Sequence, residues 1–431
     1  MKKIQPAPRI EDADMEHIVD LLVKGEMKEL VEKYNNKYYH WDELQYHCDD
    51  GSRKDLWLLM KISRRQSSYK VNICGIDFYY SNRLDFQKIL HDIDRKSPND
   101  MGLEKSGDRN SDIRFVISSL MEESIASSQM EGAAVTRKDA KKMLLQRNPK
   151  PKTVDERMIL NNYCAMEHIK SIAEQKMTVD LMLKMHETIT KDTLSEGSEW
   201  EGKFRENNEI VVGDPMDEEL IFHKPPKYDE IPDMMSKLCD FINDDGTYIH
   251  PIIKGIMIHF MIGYIHPFVN GNGRLARSLF YWYVIRKGYR WMEYTSISRI
   301  MKKSQTKYGL AYQYTETDDN DLTYFIKFNL DCIVESVNDL IGYIRRKKQE
   351  LDETVKTVEK NPDLSMQEVL IVKDYMKEQK TFSIGEISTK YGVSYQTARN
   401  YVNDLHDKGY VGAVGKSRKT QLFLVDMSKM Q

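Results

Sequence analysis

Residues 266–277, with the sequence HPFVNGNGRLAR, combine the residue types that bind a polyphosphate. Gly271 and Gly273 have no side chain, so the backbone there can approach an anion closely and turn its N–H groups toward it. Residues 274–287 (RLARSLFYWYVIRK) have the composition of a helix, whose N-terminal amides would point at the same anion. The segment therefore predicts a phosphate-binding loop at the start of a helix.

The same segment carries side chains suited to phosphate binding and to proton transfer. Arg274 and Arg277 are three residues apart, so they share one face of the predicted helix. The planar guanidinium group of arginine can bind two phosphate oxygens at once. His266 opens the loop and can act as a general base near neutral pH. A histidine that only caps a buried helix end is the alternative, and the neighbouring glycines and arginines argue against it.

These residues resemble the signature of the Fic family, which is His-x-Phe-x-(Asp/Glu)-Gly-Asn-Gly-Arg-x-x-Arg. Every fixed position matches except Asn270, which stands where the family usually has an acid. The resemblance covers about residues 105–345 and includes Gly202-Lys203-Phe204-Arg205, Pro225-Pro226, Ile231-Pro232, His250-Pro251 and His259. It implies a Fic-type helical core.

The resemblance also implies an activity, which is transfer of AMP from ATP to a Ser, Thr or Tyr hydroxyl of a target protein, or of the chain itself. His266 is then the catalytic base, and Phe268 packs to anchor the loop. The side-chain amide of Asn272 is expected to add a hydrogen-bond donor for the α-phosphate. The full set of expected ATP-binding residues is Gly271, Asn272, Gly273, Arg274 and Arg277.

A second resemblance lies upstream, in Ser127-Ser128-Gln129-Met130-Glu131-Gly132. It is similar to the inhibitory motif (Ser/Thr)-x-x-x-Glu-(Gly/Asn) of the self-inhibited class of Fic proteins, with Ser127, Glu131 and Gly132 as the inhibitory residues. The resemblance implies that Glu131 pairs with Arg277 in the resting state, and that Ser127 holds Glu131 in place. Such a charge-assisted pair contributes about 1.5–3 kcal/mol. The alternative is a surface ion pair of about 0–1 kcal/mol.

Asn270 leaves the metal and the reaction open. In typical Fic proteins the acid at this position binds Mg²⁺ between the α- and β-phosphates. An amide oxygen carries no charge, so weaker binding of Mg²⁺ is expected. Three functions follow: a slower adenylyltransferase, an enzyme that uses a different nucleotide or phosphate donor, or a catalytically weak or inactive nucleotide sensor that regulates transcription.

Residues 207–214 and 219–222 have the pattern of a β-hairpin ahead of Pro225-Pro226. A hairpin at this point resembles the Fic flap, which binds a target peptide as an added strand. Its target-binding residues would be Ile210, Val211 and Val212. An ordinary hairpin that covers a helical core is the alternative.

Composition favours a mainly α protein of the cytoplasm. The chain has 431 residues, a net charge of −3 and a pI of about 6.4, so no strong basic field indicates nucleic acid. Glycine and proline are few, while Lys, Glu, Leu and Met are abundant. The five cysteines have no metal or redox spacing, and the N-terminus lacks a signal peptide's apolar segment. The longest apolar run, residues 252–265, is too short to cross a membrane and predicts a buried helix.

The chain divides into three predicted regions. Residues 1–100 form a helical N-terminal region, whose aromatic clusters are expected to pack between helices rather than to bind a partner. Residues 96–107 contain proline and glycines and are a plausible linker. Residues 105–345 form the Fic domain with its inhibitory helix.

Residues 361–431 have the pattern of three short helices followed by two strands, which resembles a winged helix-turn-helix. This segment has ten Lys or Arg and eight Asp or Glu, a net charge of +2, so DNA binding by a single copy would be weak and a homodimer is expected. Such domains also bind proteins, which is the alternative. The expected DNA contacts are Arg399, Asn400, Lys416, Arg418 and Lys419.

Overall fold

The computed structural model describes residues 3–25, 27–95, 109–146, 148–214, 217–361, 363–378, 381–417 and 420–426. The expected linker at residues 96–107 lies outside this part of the chain. The chain forms two compact units, residues 1–340 and 341–431. Among the described residues, no helix has both the length and the apolar character that crossing a bilayer requires.

The fold is mainly α, as the composition predicts. The helices are α1 (Met15–Lys24), α2 (Lys28–Lys37), α3 (Trp41–Leu44), α4 (Asp50–Gln66), α5 (Leu84–Asp94), α6 (Arg109–Met130), α7 (Arg137–Leu144), α8 (Val154–Ile172), α9 (Val179–Thr190), α10 (Ile231–Asn243), α11 (Pro251–Ile265), α12 (Asn272–Arg286), α13 (Ile297–Lys303), α14 (Gln305–Thr317), α15 (Thr323–Lys360), α16 (Met366–Glu378), α17 (Ile384–Tyr391) and α18 (Tyr395–Asp407). The strands are β1 (Ser68–Ile73), β2 (Ile76–Ser81), β3 (Val212–Asp214), β4 (Asp217–His223), β5 (Val411–Ser417) and β6 (Thr420–Val425).

The N-terminal region is not wholly helical, because β1 and β2 form an antiparallel hairpin within it. Cys74 and Gly75 join the strands with φ angles of 56° and 84°. Two successive residues of positive φ match the twist of paired strands. Phe78 belongs to the aromatic cluster at residues 78–80. Its side chain is buried against the rings of Phe260 and Tyr264 on α11. This contact agrees with the expected packing role.

Helices α11 and α12 form the centre of the first unit and position the loop between them. Most of the side chains of α11 are buried, on every side of the helix, as is typical of a helix inside a core. This confirms the buried helix predicted for residues 252–265. Helix α12 begins at Asn272, because Gly271 takes a left-handed conformation with φ 82° just before it. The predicted start at residue 274 was therefore two residues late.

Helix α6 carries the predicted inhibitory residues and packs against α8, α12 and α13. It ends at Met130, and Gly132 follows with a φ of 99°. Residues with a side chain rarely adopt this conformation, so glycine allows the chain to leave the helix directly after Glu131.

The second unit contains the three short helices and the hairpin that the sequence predicts. Ser383 caps α17 in a reciprocal pair of hydrogen bonds with Glu386, and Gly392 ends that helix with a φ of 62°. The Ser394 side chain then caps α18. Strands β5 and β6 pair in antiparallel fashion. The buried core of this unit includes Val369, Val372, Phe382, Ile387, Ala398, Val402 and Leu405.

Candidate functional site

The loop between α11 and α12 is held closed by the side chain of Asn272. Its Oδ1 accepts a hydrogen bond from the backbone N–H of Phe268 (3.0 Å), and its Nδ2 donates to the Phe268 carbonyl (2.8 Å). The Asn272 side chain is buried. The Asn272 side chain therefore closes the loop with its oxygen and with one of the two N–H donors of its amide, which leaves one side-chain donor and the backbone N–H for the expected phosphate contact.

Phe268 anchors the loop as expected, and it does so against a histidine whose role the sequence did not reveal. The Phe268 ring is fully buried and stacks on the His186 ring with centroids 3.7 Å apart. His186 accepts a hydrogen bond from Gly202 N–H at Nδ1 (3.1 Å), so its Nε2 carries the proton and donates to the Asn270 carbonyl (2.8 Å). His186 lies on α9, 80 residues before the loop, and no local pattern links the two.

Arg205 supports the other side of the loop. Its side chain is buried, and its Nε donates to the carbonyl of His266 (3.0 Å). Its Nη1 donates to the Asn207 carbonyl (2.6 Å), and its backbone N–H donates to Pro267 (2.9 Å). This one residue therefore joins the loop to the chain that enters the β3–β4 hairpin.

His266 ends α11 in a left-handed conformation, with a φ of 47°. Its Nδ1 lies 3.4 Å from the carbonyl of Gly263. A carbonyl only accepts hydrogen bonds, so this contact places the proton on Nδ1 and leaves Nε2 as a free acceptor. Burial lowers the pKa of His266 to about 4. The imidazole is therefore neutral at physiological pH, as a general base must be.

The carboxylate of Glu131 occupies the N-terminal end of α12. A Cβ atom at Gly273 would collide with Oε1 of Glu131, so glycine is required for this approach. Helix N-termini attract anions because their amides are unpaired and their dipole is positive. Burial raises the pKa of the Glu131 carboxyl, but the charges of Arg277 and then Arg274 outweigh burial and hold this pKa below its usual value. Glu131 is thus an anion in the place where a phosphate would bind.

Arg277 pairs with two residues of the predicted inhibitory motif. Its Nη2 donates to Oε1 of Glu131 (2.9 Å), and the Arg277 side chain is only 3% exposed. Its Nε donates to Oγ of Ser127 (2.8 Å), and Nη2 also donates to the Ser127 carbonyl (3.0 Å). Ser127 was expected to hold Glu131 in place. Instead, the hydroxyl of Ser127 accepts from Arg277 and orients the guanidinium that pairs with Glu131.

Three buried arginine nitrogens lack a hydrogen-bond partner among the described residues. Nε of Arg274 and Nη1 of Arg277 lie at this site, and Nε of Arg53 lies in the N-terminal region. Arg274 donates from Nη1 to the carbonyl of Ile189 (3.0 Å), which fixes its side chain while Nε stays unpaired. Buried donors are seldom left unpaired, so the two nitrogens at this site are available to an anion that enters it.

Asn270 does not provide a site that fits Mg²⁺. Its Oδ1 already accepts a hydrogen bond from the N–H of Gly271 (2.7 Å), and the side chain carries no charge. Among the described residues, no group of three or more His, Cys, Asp or Glu side chains is arranged to hold a metal ion. The donor set that Mg²⁺ prefers, with at least one carboxylate, is not formed by these residues.

The predicted flap is a hairpin of β3 and β4, and its first strand is shorter than expected. Strand β3 starts at Val212, so Ile210 and Val211 precede it. The register between β3 and β4 is irregular on both sides of Gly213. In the described part of the chain this sheet has two strands, so the outer edge of β3 has no strand partner there. Val211 is 42% exposed.

The base of the hairpin is tied to the helix that carries His266. His223 is the last residue of β4. Its Nε2 atom lies 2.7 Å from the carbonyl oxygen of Tyr264, and its Nδ1 atom lies 2.7 Å from Oε2 of Glu316. These contacts and those of Arg205 hold both ends of the hairpin beside the loop.

In the second unit, Arg399 and Asn400 are exposed on α18. Lys416 lies on β5, whereas Arg418 and Lys419 lie outside the described residues. Asn400 accepts a hydrogen bond at Oδ1 from Gln396 (3.0 Å), one turn earlier on the exposed surface of the helix.

This geometry defines a class of protein. It is a helical domain in which a histidine precedes a glycine-containing loop and two arginines lie on the helix that follows the loop. Residues 176–284 match the Fic/DOC family. The chain is 27% identical over 194 residues to the protein adenylyltransferase Fic of Drosophila willistoni and 28% identical to that of Drosophila virilis. Each match covers 43% of this chain, which spans about a third of the relative (34% and 35%).

Solved structures agree in fold. A Fic family protein from Desulfovibrio desulfuricans superposes with a TM-score of 0.50 at 17% identity, covering 80% of this chain and 95% of that one. Fic-1 from C. elegans superposes with a TM-score of 0.52 at 16% identity, covering 77% and 88%. The chain is therefore similar in fold to these Fic family proteins, and its family match at residues 176–284 includes the signature at residues 266–277.

Proposed function

We propose that this protein is an adenylyltransferase that transfers AMP from ATP to a Ser, Thr or Tyr hydroxyl of a protein, and that Glu131 holds it inactive. One observation carries the proposal. The carboxylate of Glu131 lies against Gly273 at the start of α12, beside two buried arginine donors without partners. An anion larger than a carboxylate would satisfy these donors, and the phosphates of ATP have that character.

The reaction follows from the positions of the side chains. The target hydroxyl gives its proton to the free Nε2 of His266 while its oxygen bonds to the α-phosphorus. The bond between that phosphorus and the oxygen bridging to the β-phosphate breaks, and pyrophosphate leaves. The backbone N–H group of Gly273 stabilises the charge that develops on the α-phosphate, whereas that of Gly271 joins it only if its hydrogen bond to Oδ1 of Asn270 opens. Arg274 and Arg277 bind the β- and γ-phosphates.

Inhibition follows from competition for one side chain. Arg277 cannot pair with Glu131 and with the γ-phosphate in the same geometry. A charge-assisted hydrogen bond contributes about 1.5–3 kcal/mol, enough to lower productive ATP binding by more than about tenfold. Ser127 supports this state because it orients the guanidinium of Arg277 from the other side. No step of the reaction is assigned to a metal, since the residues around Asn270 do not fit one.

The target is expected to bind along the hairpin of β3 and β4. The unpaired outer edge of β3 offers backbone donors and acceptors to an extended peptide. Because Arg205 and His223 tie this hairpin to the loop, a peptide bound there would be placed near His266. The self-modifying reaction requires only that a hydroxyl of the same chain, or of a second copy, reaches this edge.

The test is incubation of the Glu131→Gly variant with α-labelled ATP, alone and with lysate. We expect label on the chain itself or on a target, at least about tenfold above the natural sequence. Adding Arg277→Ala to the same variant should remove the gain. Parallel reactions with labelled GTP, CTP and UTP show whether the enzyme uses another nucleotide instead of ATP. ATP binding without labelling from any nucleotide would favour the nucleotide sensor.

We propose a second function for residues 361–431, which is contact with DNA through α18. Support comes from the exposure of Arg399 and Asn400 on that helix and from the preceding tight turn at Gly392. With three helices ahead of a hairpin, this unit has the element order of a winged helix-turn-helix. Its small net charge makes a homodimer on a two-fold site the expected form.

A further inference from the structure

Three pairs of residues line the contact between α6 and α12. On each helix the residues are four apart, so each set lies on one face. The pairs are Glu131 with Gly273, Ser127 with Arg277, and Glu123 with Tyr281. The two helices therefore run in opposite directions along this contact. The first two pairs belong to the site described above, whereas the third lies deeper and contacts no part of the loop.

Glu123 is a buried carboxylate at the inner end of this contact, with 1% of the residue exposed. Its Oε2 accepts hydrogen bonds from the hydroxyl of Tyr281 (3.1 Å), from Oγ of Ser296 (3.1 Å) and from the N–H of Ser298 (3.0 Å). Its Oε1 accepts from Oγ of Ser298. Among the described residues, Glu123 has no ion-pair partner within bonding distance. Its burial is therefore supported by these hydrogen bonds and by the nearby charge of Arg277.

Such a carboxylate fixes the register of α6. A buried charge or polar group that loses its hydrogen-bond partners is strongly disfavoured. A shift of α6 by one residue moves it by about 1.5 Å along its axis and rotates its faces by about 100°, which would remove Glu123 from all of its donors. The same shift would move Ser127 and Glu131 away from Arg277. Because the spacing is four residues throughout, the register that satisfies Glu123 is also the register that blocks the site.

We propose that Glu123 is a positioning residue that holds α6 in the register in which Glu131 occupies the phosphate site. This inference rests on the proposed function, since it concerns the regulation of that same site. Glu123 acts through the helix and does not itself touch the loop. Its hydrogen bonds to Tyr281 on α12 and to Ser298 on α13 join the inhibitory helix to the two helices behind it.

The test compares Glu123→Gln with Glu131→Gly and with the double variant, using α-labelled ATP and measuring both self-labelling and release of labelled AMP. Glutamine has the same shape, but its NH₂ group cannot accept, so at least one hydroxyl around it must reverse its hydrogen bond or lose it. We expect Glu123→Gln to raise transfer at least about fivefold. Combined with Glu131→Gly it should add nothing, because the block that it releases is already gone. Tyr281→Phe removes one of the donors and should produce a smaller rise if Glu123→Gln does not fold.

Glu122→Gln is the matched control. Glu122 is adjacent on α6 but pairs with Arg137 and Lys141 on α7, away from α12. It should leave transfer unchanged. Hydrogen exchange over residues 118–131 should be faster in Glu123→Gln than in the natural sequence.

The outcomes separate the two proposals. If Glu131→Gly raises transfer and Glu123→Gln and Tyr281→Phe do not, the assignment of Glu123 is wrong and the proposed function stands. An equal rise in Glu122→Gln would also overturn the assignment, because any loosening of α6 would then suffice. If Glu123→Gln lowers transfer in the Glu131→Gly background, Glu123 only supports stability. If Glu131→Gly itself gives no rise, the proposed inhibition fails, and this inference fails with it.

Discussion

His266 combines two properties that a catalytic base requires, a free nitrogen and a neutral ring. The contact of Nδ1 with the carbonyl of Gly263 directs Nε2 outward, and burial keeps the ring unprotonated. Neither property contributes to holding ATP in its ground state. Binding and chemistry can therefore be separated experimentally at this residue.

We expect His266→Ala, in the Glu131→Gly background, to reduce transfer by about 10²–10⁴-fold, because a positioned base contributes about that much. ATP affinity should change by less than about threefold. Both are measured, by labelling rate and by calorimetric titration with ATP. His168→Ala, at an exposed histidine of α8, is the control and should change neither. Unchanged transfer in His266→Ala would rule out the role of base.

The pH profile provides an independent check of His266. Since burial lowers its pKa to about 4, the imidazole stays neutral as pH rises and becomes protonated only as pH falls through that value. Protonation of His266 should not change the transfer rate of Glu131→Gly between about pH 6 and about pH 8. The rate should decline only below about pH 5, where His266 becomes protonated. The negative charge of Glu131 raises the pKa of His266, so its removal does not move the decline upward. If the transfer rate fell to half its maximum at about pH 6.5, His266 would not be a buried base.

Asn270 leaves the loop without a carboxylate for a cation, and an aspartate at this position would supply one. We expect Asn270→Asp to lower the Mg²⁺ concentration for half-maximal transfer at least about threefold, because added negative charge strengthens cation binding. The substitution keeps the oxygen that accepts from Gly271. Transfer is measured over a Mg²⁺ titration in the Glu131→Gly background. Identical half-points for the two proteins would indicate that this position does not contact the metal.

At the level of elements, the site depends on where helices begin and end. Helix α12 begins where Gly271 adopts a left-handed conformation, and α6 ends where Gly132 does so. The first glycine starts α12, and the second lets the chain turn directly after Glu131, whose carboxylate lies against Gly273. If Glu131 inhibits as proposed, the point at which α6 ends matters as well as the identity of Glu131.

Gly132→Ala tests the end of α6. Alanine at a φ of 99° costs about 1–2 kcal/mol of strain, so the chain should relax and move Glu131 away from Arg277. We expect a rise in transfer together with a lower melting temperature. Gly288→Ala is the matched control, because Gly288 has a φ of 98° just after α12 and is far from Glu131 in sequence. It should lower the melting temperature without raising transfer. Equal rises in both variants would mean that general loosening activates the protein.

At the level of the whole molecule, the proposed DNA contact of the second unit can be tested separately from the transfer reaction. We expect full-length protein to select sequences from a random duplex library at about 50 mM salt. Arg399→Ala should change the preferred sequence, whereas replacing Lys416, Arg418 and Lys419 by Ala should weaken binding to all sequences and flatten its salt dependence. Lys390→Ala, at a lysine paired with Asp374, should do neither. No enrichment, with capture of a protein that needs Tyr395, would favour protein docking.

The sequence alone determined the features that depend on neighbouring residues. The spacing of His266, the glycines and the two arginines specified a loop at a helix N-terminus, because helix periodicity places residues that are three or four apart on one face. Caps and left-handed glycines likewise marked the ends of the helices in the second unit. The hairpin of β1 and β2 was missed, although the glycine after Cys74 and the alternating aromatics are local signals for it.

Only the tertiary structure decided the contacts between distant segments. Glu131 and Arg277 are 146 residues apart, and the family resemblance suggested their pairing without any local pattern that requires it. The tertiary structure assigned Ser127 to Arg277, closed the loop with the Asn272 side chain, and brought Arg205 and His186 to support it. These contacts arise because packing of α6, α9 and α11 around α12 selects partners by shape and by hydrogen-bond satisfaction in a buried space. Sequence spacing contains no information on which helices become neighbours, so these partners were determined by the fold.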